Sequence, residues 1–204
     1  MKLKYFSFFA LIITTFLWGT TFVIVKDALI ECPSYQLITI RFSIAAILVI
    51  ATLNKKIYSI NPIEMKYGIL CGILLFIGYA FQNFGLIITT PSKSAFITSV
   101  SIILVPIFLI FIKQVQIKKN MWLAILIAII GLYLLLNPQQ GQMNWGDLLT
   151  FGCAISFALH IIFQDITLRD NKKIKINILR FFLVQLIIVI LLSIIFSTIY
   201  ETMI

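Results

Sequence analysis

The sequence predicts an all-α membrane protein, a polytopic bundle of about seven transmembrane helices. Three observations carry that prediction. Apolar residues fill 61% of the 204 positions and charged residues only 11%, whereas charged residues make up about a quarter of an ordinary soluble domain. Mean hydropathy is +1.10. The apolar residues also gather into runs of about 20, the length that crosses a bilayer as a helix.

The first run, Phe6 to Val25, follows a basic start and so imitates a signal peptide. No A-x-A-like cleavage site follows it, and it reads as a retained span. Further spans run from Tyr35 to Leu53, Gly68 to Ile88, Ser94 to Ile112, Met121 to Leu136, Leu148 to Thr167 and Ile178 to Ile199. The fifth is short. Polar connections separate them: "NKKIYSINP", "TTPSK", "KQVQIKK", "NPQQGQMNWGD" and "RDNKKIK".

Charge orders the spans. Lys2 and Lys4, then Lys55, Lys56 and Lys66, then Lys113, Lys118 and Lys119, then Arg169, Lys172, Lys173 and Lys175 fall on one side. The other side holds Lys26 and Lys93, while Arg41 and Arg180 lie in or near spans. The positive-inside rule predicts a multi-pass protein of the cell's inner membrane with its N-terminus in the cytoplasm. The net charge of +9 sits between apolar runs rather than on one face, so nucleic acid is not an expected partner. Cys32, Cys71 and Cys153 lie far apart, without metal-ligand spacing. No cofactor or metal is expected.

Shifting the chain by 139 residues brings Arg41-Phe42 onto Arg180-Phe181 and Trp18-Gly19 onto Phe157-Ala158. The shift spans five helices, an odd number, so the second copy would be inverted. Inverted repeats around a midplane site mark secondary transporters. Residues 1–138 form the expected first repeat of five helices, and 145–204 a partial second repeat of two. A whole second copy would add about three helices, so the expectation is a chain truncated after seven of ten.

"LWGTTFVIVKDAL", "IRFSIAAILV", "GYAFQNFGLIITTPSKSAFITSVSIILVPIF" and "WGDLLTFGCAISFALHIIFQDI", in that order and spacing, resemble the EamA-type drug/metabolite transporter family. The resemblance runs from about residue 6 to the end. It implies ten helices in two inverted repeats and the movement of small metabolites without ATP hydrolysis.

Polar groups within spans are where function is sought, because hydrocarbon penalises them. Thr14, Trp18, Thr21 and Val25 share one face of the first span; Trp18 either walls a substrate cavity or packs beside Gly19. Tyr79, Gln82 and Asn83 cluster on the third span, where the Gln82 amide suits an amino-acid or sugar ligand or an interhelical hydrogen bond. Gly68 and Gly72 form a GxxxG expected at a close helix contact. Ser94, Thr98 and Ser101 stripe the fourth span, and Pro106 is expected to kink it. His160, the one histidine, shares a face with Cys153 and Ser156. It either couples a proton or stays neutral between helices. Arg41 binds an anionic group or snorkels to the outer face, where Asp27 and Glu31 lie within pairing range.

The candidate substrate-binding set is therefore Trp18, Tyr79, Gln82, Ser94, Thr98 and His160, with no catalytic residue. The leading reading is a secondary carrier of an amino-acid-like, sugar-like or drug-like metabolite, working by alternating access. The alternative is a transport-inactive product, or one completed by a homo-oligomer or a complementing chain in the lipid bilayer. An enzyme is not expected: no HExxH, acid pair or nucleophile–base arrangement appears.

Overall fold

A computed structural model describes residues 2–53, 60–113, 119–136, 143–170 and 176–201. In chain order the helices are α1 (Lys2–Glu31), α2 (Ser34–Leu53), α3 (Pro62–Ile88), α4 (Pro91–Ser99), α5 (Ser101–Lys113), α6 (Lys119–Leu136), α7 (Trp145–Asp170) and α8 (Ile178–Tyr200). Among the described residues there is no strand. Only a helix or a closed barrel satisfies its own backbone in hydrocarbon, and these single apolar runs take the helix. Six stretches are long and apolar enough to cross a membrane, with α4 and α5 together forming one of them. α6 carries the shorter apolar stretch Trp122–Gly131. The molecule is a polytopic helical bundle. The basic connections at Lys55, Lys56, Lys118, Lys172, Lys173 and Lys175 lie outside the described residues.

Several helices begin earlier than their apolar runs. α3 starts at Pro62, inside the expected linker, because Asn61 and Glu64 close a reciprocal capping box with Pro at the first turn, which satisfies otherwise orphaned backbone donors. α7 starts the same way: the Asn144 side chain accepts from Asp147 N at 2.9 Å, and Asp147 accepts from Asn144 N at 3.1 Å. α1 runs past Val25 to Glu31.

The fourth crossing is interrupted at Val100, between α4 and α5, and the helix continues through Pro106. Two causes converge there. Pro106 has no N–H and its ring crowds the preceding turn. The Thr98-Ser99-Val100-Ser101 step adds hydroxyls that compete for backbone carbonyls: Ser99 donates to Ala95 O at 2.8 Å, and the Val100 N–H turns to Ile97 O at 3.0 Å.

α3 is the axis of the packing. α7 runs antiparallel to it, Gly146 meeting Gly85 at one level and Ser156 donating to Leu74 O at 2.8 Å further along. α8 runs parallel on another face. A Cβ on Gly68 would lie 2.7 Å from Val184, and one on Gly72 would lie 2.8 Å from Ile188. The GxxxG is thus a close helix contact, as its sequence implies. α2 packs antiparallel on α8, with Thr39 donating to Ser193 at 2.9 Å. Ile38, Phe42, Leu75, Phe76, Phe157, Leu183, Leu186 and Val189 form the main core. Large apolar side chains on α1 and α6, among them Phe8, Phe16, Leu123 and Leu134, face outward, as lipid-facing residues do.

Candidate functional site

α1, α2 and α3 meet around a small pocket. Trp18, Thr21, Phe22 and Val25 follow i, i+3, i+4, i+7 spacing and so present one helical face to it. Arg41 enters from α2, and Gln82 and Leu86, one turn apart, enter from α3. These side chains close on one another and leave no space among them large enough for a water molecule. Leu86, Phe22 and Val25 of its lining form a second apolar cluster, which Leu37 and Ala95 border.

Two donors in this setting lack partners: Arg41 Nη1 and Gln82 Nε2 are buried with no hydrogen bond. Gln82 is only 4% exposed. The Arg41 guanidinium lies over the Tyr79 ring, 5.5 Å from its centroid, a cation–π contact. Tyr79 is itself held edge-on by Phe42 and Phe157, at 4.9 and 5.3 Å. The sequence places Asp27 and Glu31 within reach of Arg41, but the guanidinium turns inward to the pocket and the ring. The α1 threonines bond to their own helix: Thr14 donates to Ala10 O, and Thr21 to Trp18 O.

The structure therefore brings Trp18, Gln82 and Tyr79 to one place, with Arg41 among them. Trp18 lines the pocket while half exposed on its far side. Ser94 and Thr98 lie buried on α4. Ser94 Oγ is without a partner, and Thr98 sits beside Cys153 of α7. They flank Ala95, which packs on the apolar cluster of the pocket wall.

His160 stands apart. Its Nε2 lies 2.8 Å from Gln185 Oε1, and Gln164 Nε2 reaches the same oxygen at 3.4 Å. An amide oxygen only accepts, so His160 Nε2 is the donor. Ser156, one turn earlier on α7, bonds Leu74 O, which sets His160 more than two turns of α3 away from Gln82. Gln185 is fully buried in α8.

Each end of α3 is also clamped. At its start the Glu64 carboxylate accepts from Arg180 Nε and Nη2, both at 2.9 Å, and from Asn177 N at 2.8 Å. At its end Thr89 donates to Asp147, and Lys93 Nζ lies 3.6 Å from the same carboxylate. Lys26 caps the C-terminus of α3, donating to the carbonyls of Leu86, Ile87 and Thr89. Glu201, at the end of α8, accepts from Tyr35 N and Gln36 N at 2.7 and 3.1 Å, a carboxylate at the positive end of α2. The two α3 clamps are about 37 Å apart by helical rise.

The candidate set lacked Arg41, Gln185, Glu64 and Asp147. Gln185 was visible as a lone amide in "RFFLVQLIIVI". Glu64 and Asp147 each stand three residues after an Asn, the spacing of a capping box.

The EamA-like transporter family model matches residues 6–137. An uncharacterized transporter of Archaeoglobus fulgidus is 32% identical over 151 residues, covering 74% of this chain and 46% of that relative. The chain spans about half the length of the curated relative it matches. No solved structure matches it.

Proposed function

Since the chain belongs to the EamA-like transporter family, we propose that it takes part in moving a small organic metabolite across the cell membrane by alternating access. The observation that carries this reading is the pocket of Trp18, Arg41 and Gln82, with buried donors unpartnered, set between clamps at the two ends of α3. A carrier needs a binding site between two barriers that open in turn. The Glu64–Arg180 pair and the Asp147–Lys93 pair are the residues we assign to those barriers. Trp18 and Gln82 line the site, Tyr79 backs Arg41, Ser94 and Thr98 support the wall beside Ala95, and His160 belongs to a separate polar contact between α7 and α8.

In this reading residues 1–138 are one repeat and residues 145–204 open its inverted counterpart. α1 and α2 shifted by 139 residues fall largely on α7 and α8. The N-terminus is cytoplasmic, so the Glu64 end faces inward and the Asp147 end outward. The direct test is a metabolite uptake and efflux screen in proteoliposomes. Saturable flux of one solute class, abolished by Gln82→Leu at normal protein levels, is the expected outcome. Flux indifferent to both Gln82→Leu and Trp18→Ala removes the pocket from the path. For orientation, a cysteine placed at Lys93 is expected to react with an impermeant thiol reagent in whole cells, and one at Lys66 is not.

A further inference from the structure

We propose that the pocket receives the carboxylate of an organic acid with a short apolar tail, the head held by Arg41 and Gln82. This rests on the carrier reading above and narrows it to a solute class. Three observations converge. First, Arg41 Nη1 and Gln82 Nε2 are both donors, both buried and both unpartnered, and both line the same pocket. A buried donor without a partner is costly, and a guanidinium inside a span costs more. Arg41 begins about 10 Å along α2 from Ser34, yet its guanidinium lies over the Tyr79 ring rather than pairing with an acid.

Second, no acidic side chain lines the pocket; its lining is Trp18, Thr21, Phe22, Val25, Arg41, Gln82 and Leu86. The missing complement to a guanidinium and an amide N–H is a group with two acceptor atoms and one negative charge. A planar carboxylate meets that description, and arginine engages it through paired hydrogen bonds. An ammonium ion would meet a like charge.

Third, the rest of the wall is Trp18, Phe22, Val25 and Leu86, which rewards an apolar tail and offers nothing to a second charge. As the side chains stand they close on one another with no room for a water molecule, so the walls must part to admit the tail. Trp18, half exposed on α1, is the wall that has to move aside to admit it.

The test uses the purified full chain in lipid nanodiscs, titrated with hexanoate and phenylacetate. Their neutral amides (hexanamide and phenylacetamide) and the corresponding amines serve as controls. Binding is read by isothermal titration and by the rise in melting temperature. The acids are expected to bind saturably, and the amides and amines at least about ten-fold more weakly. Arg41→Gln is expected to weaken acid binding by about ten- to a hundred-fold, the range for a hydrogen bond to a charged group, with Arg41→Lys intermediate. Should Arg41→Gln fail to fold, the acid-against-amide comparison on the unaltered protein still decides. Amides that bind as tightly as acids, or acids that do not bind, overturn the inference. So does unchanged acid affinity in Arg41→Gln. Acids that bind but do not cross proteoliposome membranes would sink the carrier reading alone. Flux of a neutral or cationic solute, with no acid binding, would sink the carboxylate inference alone.

Discussion

The two ends of α3 are built to one plan and finished differently. At each, an acidic residue closes the capping box of its own helix and then reaches a basic residue in the first turn of a neighbour: Arg180 of α8 from Glu64, Lys93 of α4 from Asp147. At the Glu64 end the acid is fully buried, the base 14% exposed, and two charged hydrogen bonds of 2.9 Å lie in a planar fork. At the Asp147 end the acid is equally hidden, but the lysine is 24% exposed and 3.6 Å away. A guanidinium fixes direction as well as charge, whereas an ammonium on a flexible stem fixes only charge. One end is locked by geometry and the other is held by attraction. In the alternating-access reading, that asymmetry sets which barrier opens at lower cost.

The largest effect should follow from breaking the lock. Glu64→Ala leaves the Arg180 guanidinium in a buried site without its carboxylate, a change that costs about 3–5 kcal/mol. Thermal unfolding in a mild detergent should show a steep loss, and a near-native melting temperature would show that the fork contributes little.

Next comes the packing beneath the looser clamp. A Cβ on Gly146 would lie 2.6 Å from the Gly85 carbonyl oxygen and 2.8 Å from Thr89 N, backbone atoms of α3 and of its C-cap. Overpacking of this kind costs about 1–3 kcal/mol. Gly146→Ala should therefore lower the melting temperature and loosen the Asp147 end. If it is as stable as the parent, α3 and α7 are not in the close register described.

Smaller still is Lys93→Gln. At 3.6 Å, with its lysine partly exposed, this pair holds less firmly than the fork, so the melt should move less than in the two variants above. Lys93→Arg sharpens the comparison by offering the Asp147 end the fork found at the other. In proteoliposomes it should slow exchange if that end is a barrier. Equal losses from Lys93→Gln and Glu64→Ala would erase the distinction between the ends.

The smallest effect concerns Cys32, in the turn between α1 and α2. Burial, and then the Glu201 carboxylate nearby, push its thiol above the ordinary range. Because the thiolate is the reactive form, Cys32 should alkylate with a maleimide more slowly than a free thiol at neutral pH. Glu201→Gln removes the second cause and should speed the reaction modestly. An unchanged rate would leave burial as the whole cause.

The crossings were legible because each is a run of apolar residues near the length a bilayer demands, a signal that depends on nothing else in the chain. Trp18 and Gln82 were legible as polar interruptions of such runs. Arg41 was seen as a charge in a span, but whether it turned to the pocket or the interface depended on Tyr79, 38 positions away. Glu64 and Asp147 were harder for the opposite reason. They sit at the ends of apolar runs, where a charge looks like an ordinary part of a linker, and only the Asn three residues before each marks a helix start. The interruption at Val100 went to Pro106 in the sequence reading because proline is the stronger breaker; the cluster of hydroxyls upstream decided the position.

The contact between Lys26 and the last carbonyls of α3 makes α1 a lever. Lys26 is the fulcrum, fixed by three oxygens, with Phe22 and Val25 bedded beside it. Trp18 lies eight residues along the arm, about 12 Å away by helical rise. The stretch beyond it presents mostly outward-facing apolar side chains to a medium that resists little. A tilt of about 10° at the fulcrum would sweep Trp18 through about 2 Å, the displacement of a whole aromatic ring for a small rotation.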